Sequence, residues 1–196
     1  MSDEGDTGKI ELITLIEPLT SVITRSKENG VRLTALAVMA IVNMCNFSAD
    51  IKDIFLQRNG IAIINDLMDS KDEEILMNAL RLVMTLIASK KGETNMIGRQ
   101  LAEDSDNKII KRLIGLIKQG PEINYCHFSN QVLFMSISLL RAFIQHSTST
   151  KSLFMNDKHD LKYTKPIKDV LLDYMHPQKI WQITPNIEEA ILSLMT

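Results

Sequence analysis

The sequence predicts an all-α protein, on three observations. Leu, Ile, Met, Ala, Lys and Glu dominate the 196 residues while glycines number eight and prolines five, a composition that favours helices. Apolar residues recur at helical spacing, and no stretch alternates apolar and polar residues at period 2 for long or sets Asn-Gly or Asp-Gly between two β-branched runs. The helical pattern also returns along the chain: Ile16, Ile61 and Ile110 open similar segments 45 and 49 residues apart.

Charge and cysteine usage narrow the function classes. A formal charge of −2 and a pI of about 6.1 give none of the basic excess that nucleic acid or an anionic membrane attracts. The two cysteines, Cys45 and Cys126, lie far apart in unlike contexts, which gives no disulfide framework and suits a reducing, cytoplasmic setting. The start, Met1-Ser2-Asp3-Glu4-Gly5-Asp6, is acidic and leads into no apolar run of the secretory type. The longest apolar stretch, Val132 to Ile144, is broken by Ser136, Ser138 and Arg141 and is too short to span a bilayer. A soluble protein with no nucleic-acid partner and no membrane insertion is expected.

Residues 1–8 are acidic and without periodicity, and read as a disordered tail before a single domain at 9–196. Ile10, Ile13, Leu15, Ile16, Leu19, Val22 and Ile23 recur at helical spacing around Pro18. This is either one helix kinked at Pro18 or, as the repeat favours, a short helix followed by one that begins there. After the turn-prone Ser26 to Gly30, a long helix runs from about Val31 to Cys45, apolar on most of its circumference. A shorter helix at Asp50 to Leu56, a glycine at Gly60 and a helix from Ile61 to Met68 follow. The turn Ser70 to Asp72 echoes Ser26 to Glu28, and Asp72, Glu73 and Glu74 are the acidic residues favoured at a helix start. Ile75 to Ile87 is then the second long helix, Ile110 to Ile117 matches Ile61 to Met68, and Gln131 to Ile144 is the third long helix. Lys118 to Ser129 is an insertion, with Tyr125 and Phe128 as aromatic anchors. A poorer fourth copy follows, with Thr164 to Leu172 as its middle helix and Asn186 to Met195 as the start of its last helix. Ala35, Leu36, Ala40, Ala79, Leu80, Val83, Ile137 and Leu140 are the expected core, since small and branched residues let helices approach closely.

The order long helix, short helix, glycine, helix between Ala37 and Ser70 resembles the junction between two armadillo repeats. Gly60 to Ser70 meets the family pattern Gly-Ile-Pro-x-Leu-Val-x-Leu-Leu-x-Ser with Ala62 in place of proline. Ala37 to Met44 meets Ala-Leu-Trp-Ala-Leu-Ser-Asn-Leu with Met39 in place of tryptophan. HEAT repeats are close relatives of the same kind. The resemblance implies a short right-handed superhelix, an α-solenoid of about three to four repeats, at about 10–60, 61–104 and 105–160, with an irregular 161–196. In armadillo proteins that hold extended peptides, the long helices line a concave groove with tryptophan pockets and an asparagine ladder. Carried over, the asparagine positions are Asn43, Thr85 and Ala142, and the tryptophan positions are Met39, Arg81 and Ser138. Only Asn43 matches, and Ala142 can neither donate nor accept a hydrogen bond, so a ladder is not expected.

Corresponding positions instead gather Met39, Asn43, Met77, Arg81, Thr85, Phe134 and Ser138, which suit an adaptable apolar contact. The expectation is a partner protein; an amphipathic helix would lay its apolar stripe along Met39, Met77 and Phe134, with a carboxylate at Arg81 and a polar group at Asn43. No motif for catalysis, cofactor or metal is found. His127, His146, His159 and His176 show no ligand spacing, Cys126-His127 lacks a third orienting group, and no phosphate loop or nucleophile elbow occurs. Lys108, Lys111, Arg112 and Lys118 read as a solvated face. The sequence thus predicts a non-enzymatic interaction module, an adaptor or scaffold. The alternatives are a structural subunit of a larger cytoskeletal or ciliary assembly, or a regulatory fragment of a longer protein.

Overall fold

Apolar residues spaced three and four apart give each segment one stripe to bury, and every regular element among the described residues is a helix. The computed structural model describes residues 4–88, 96–103, 107–119, 130–155, 166–175 and 185–195. The chain divides into two compact units, Met1–Ala88 and Ser89–Thr196.

In the first unit, α1 (Glu4–Thr24) is one continuous helix. It starts before Lys9, inside the stretch expected to be a tail. Pro18 lies within α1 and does not begin a second helix. The proline removes one backbone hydrogen bond, and burial of Ile16 and Ile23 on either side holds the helix across that gap. A single turn, α2 (Ser26–Asn29), is closed by Gly30 at φ 77°, a left-handed conformation that glycine adopts without strain.

The long helix α3 (Val31–Phe47) leads into α4 (Ala49–Phe55). Between α4 and α5 (Ile61–Met68) the chain turns sharply at Arg58 and Asn59, the latter with φ 65°. Gly60 permits the close approach, since a Cβ there would lie 2.6 Å from the Phe55 carbonyl oxygen. The second long helix, α6 (Glu73–Ile87), is opened by Asp72, whose Oδ1 accepts from the backbone N–H of Glu74 at 2.9 Å and of Ile75 at 3.2 Å. It is closed from another element: the Lys52 ammonium on α4 donates to the carbonyls of Thr85 at 2.6 Å and Ala88 at 2.8 Å.

Helix α3 packs on α1, α4 and α6, and Ile41, Phe55, Leu76 and Leu80 are fully buried at the centre. Ala35, Ala79, Leu80 and Val83 are buried as expected. Ala40 is only half-buried and Leu36 is 48% exposed, so Leu36 is no core residue. One residue on from Ala35 turns the side chain by about 100°, which takes Leu36 off the packed face.

The second unit comprises α7 (Met96–Glu103), α8 (Lys108–Gln119), α9 (Asn130–His146), α10 (Thr148–Met155), α11 (Ile167–Met175) and α12 (Pro185–Met195). Helix α9 is central to it, packing against α7, α8, α10 and α12 through buried Ile137, Leu139, Leu140 and Phe143. Helix α11 packs on α8, where the buried Tyr174 hydroxyl donates to the Ile117 carbonyl at 3.0 Å. The Lys168 ammonium lies 5.6 Å from the centre of the Phe154 ring. The insertion anchors Tyr125 and Phe128 lie outside the described residues. Among the described residues, no helix is long and apolar enough to cross a membrane.

Candidate functional site

Helix α3 has apolar residues round more of its circumference than α1, α4 and α6 cover. Arg32, Leu36, Met39, Asn43 and Phe47 step along the helix by three or four, which keeps them within about 100° of one another. All five are exposed, Leu36 at 48%, Met39 at 41% and Phe47 at 67%. The result is an open apolar line three turns long, opened by a guanidinium, interrupted by the Asn43 carboxamide and flanked by that of exposed Asn46. Its seventeen residues include no Asp or Glu.

Helix α6 behaves differently. Within it only Glu74 and Arg81 are exposed, seven positions apart, a narrow ridge on an otherwise packed helix. Met77 and Thr85 lie only about 40° to either side of that ridge and are buried, each 8% exposed. They are therefore not on an open face, contrary to the sequence expectation. Arg81 is exposed and leans back on its own helix, its Nη1 donating to Asn78 Oδ1 at 3.2 Å. Asn78 is buried and donates from Nδ2 to the Ala35 carbonyl of α3 at 3.3 Å. Two hydrogen bonds thus carry Arg81 to the turn of α3 that bears Leu36 and Met39. No carboxylate pairs with Arg32 or Arg81 among the described residues.

In the second unit, Phe134 is 37% exposed on α9 and Ser138 is half-buried. Of the basic group, Lys108 and Lys111 are exposed and Arg112 is half-buried, but Lys118 is buried, so it is not part of a solvated face. Phe47, Leu36 and Asn78 were missed by sequence reasoning. Phe47 and Leu36 share the face of Met39 and Asn43 and were recoverable from that spacing. Asn78 gave no signal, because its use depends on the α3 carbonyl opposite.

Among the described residues, no three His, Cys, Asp or Glu are grouped to hold a metal ion. Cys126, His127, His159 and His176 lie outside the described residues, as does the side chain of His146. Burial pushes the Cys45 thiol from 9.0 up to about 12, with the Lys52 charge opposing it, so at neutral pH it stays protonated and a poor nucleophile. A cleft of about 180 Å³ in the first unit is lined by Thr24, Thr34, Asp66, Asp69 and Ser70 among others. That is below the roughly 300 to 1,000 Å³ of small-molecule pockets. Its hydroxyls are used locally: Thr34 donates to the Gly30 carbonyl at 2.9 Å, and Ser70 accepts from the Asp72 N–H at 3.1 Å.

Compared with models of known protein families and with curated proteins, the chain matches none. The open line on α3 therefore has to be interpreted from its own chemistry.

Proposed function

We propose that this chain is a non-enzymatic interaction module, an adaptor or scaffold of the cytoplasm built from armadillo-like repeats, that docks a partner protein. The observation that carries this reading is the open apolar line Leu36, Met39 and Phe47. Exposed large apolar side chains scattered singly are ordinary, whereas several aligned on one helix face and rimmed by polar groups are the kind of surface that proteins bury against partners. The repeat-like junction at Gly60 supports the fold assignment, because the close approach there matches the glycine of the armadillo pattern.

Chemical cross-linking in cells, read by mass spectrometry, tests the reading. Wild-type chain is expected to yield a reproducible protein partner, and a Met39→Glu, Phe47→Glu variant to lose it while keeping its helical spectrum. Loss of no partner, or an isolated chain that turns over a small molecule, overturns it.

A second reading, a structural subunit of a larger assembly, is favoured by other exposed apolar residues in the second unit: Phe134, Met155, Leu172 and Leu192. A subunit with several used surfaces is expected to be poorly soluble alone, whereas an adaptor stays monomeric.

A further inference from the structure

The apolar line on α3 restricts what can lie on it. An extended peptide brings a backbone N–H or C=O about every 3.4 Å, and each needs a partner when water is excluded. Along the open face only Asn43 and Asn46 offer carboxamides, both towards its C-terminal end, so nothing there serves a backbone lying over Leu36 and Met39. A helix satisfies its own backbone and presents side chains alone. Charge restricts the occupant further. Arg32 on the line and Arg81 beside it are exposed guanidiniums, and α3 offers no acidic residue in return. A second copy of α3 would bring no carboxylate to either guanidinium.

We propose that α3 is the docking surface for an amphipathic helix of another protein, lying along α3 with apolar residues on Leu36, Met39 and Phe47 and a carboxylate on Arg81. This rests on the interaction-module reading and makes it specific. The direction is along a single helix, because Met77 is buried and leaves no apolar path from α3 across α6. Arg81 is held by Asn78, whose other hydrogen bond is to α3, so its guanidinium is positioned before the partner arrives. The apolar residues supply most of the affinity and Arg81 selects for acid.

The test is selection of peptides of about fifteen residues, roughly four helical turns, from a displayed library against the full chain. Enriched peptides are expected to carry apolar residues at i, i+3 or i+4, and i+7, with a flanking Asp or Glu, and to become helical on binding. Met39→Glu and Arg81→Glu should each weaken them by about tenfold or more. Exchanging the peptide's acid for Lys should restore binding to Arg81→Glu, a rescue that mere structural damage cannot give. Thermal melts of both variants check that they fold; both sites are exposed. Enriched peptides that tolerate proline throughout, that bind the two variants undiminished, or that are displaced by anionic lipid vesicles overturn the proposal. Peptides that bind elsewhere leave the interaction-module reading standing while this one falls. If no peptide is enriched and no cross-linked partner is found, both fall.

Discussion

A methyl group added at Gly60 would meet the Phe55 carbonyl oxygen at 2.6 Å and the Phe55 ring at 2.7 Å, and Phe55 is fully buried. Backbone and packed ring cannot retreat as the tip of a flexible side chain could. Gly60→Ala is therefore expected to cost about 1 to 3 kcal/mol in urea unfolding, the usual penalty of overpacking. An alanine variant as stable as wild type would show that the turn relaxes freely. Cys45 gives a pH effect whose sign is fixed by burial. Its folded pKa is raised to about 12 from 9.0, so the folded chain keeps the thiol proton where the unfolded chain loses it. Its stabilising contribution is complete below about pH 9 and falls as the pH climbs towards 12. Other groups titrate in the same range, so the measurement is the difference between wild type and Cys45→Ala across that window. That difference should shrink as pH rises. Both residues were visible in the sequence, Gly60 through its repeat position and Cys45 as a lone thiol, but the 2.6 Å approach and the burial were not.

Among the helices, α6 shows how an element is finished by residues outside it. Asp72 opens it locally, and that was legible because a capping carboxylate bonds backbone N–H groups only two and three residues away. Lys52 closes it from 33 residues upstream, and no sequence signal announces that. Lys52→Met keeps the aliphatic stem and removes the ammonium, leaving the Thr85 and Ala88 carbonyls without that donor. The expected loss is about 1 kcal/mol, with faster amide hydrogen exchange confined to the last turn of α6. Exchange that quickens uniformly across the first unit would contradict a local capping role. Helices α7 and α10 were not anticipated at all. Thr148 to Lys151, Thr-Ser-Thr-Lys, has the residues that compete with the backbone for hydrogen bonds and so reads as a turn. Burial of Phe154 and Thr150 nevertheless accompanies a helix there.

On the scale of the chain, the first unit has its own core, with Ile41, Phe55, Leu76 and Leu80 wholly enclosed and both ends of α6 capped from within residues 1–88. A fragment of residues 1–88 is expected to fold alone, with a helical circular dichroism spectrum and a cooperative melt at lower temperature than the full chain. At that length the buried fraction is modest and stability correspondingly small. A fragment that stays unfolded would mean that the unit depends on the rest of the chain. The sequence by itself determined the helical class, the position of nearly every long helix and the turn at Gly60, because apolar period, caps and glycine act over a few residues. Tertiary packing decided which flank of each helix is closed. The pattern of α3 and α6 is apolar in both, yet α3 keeps Leu36, Met39 and Phe47 in water while α6 buries Met77 and Thr85. Period fixes which residues share a face; how much of that face is covered depends on neighbours brought together from distant parts of the chain.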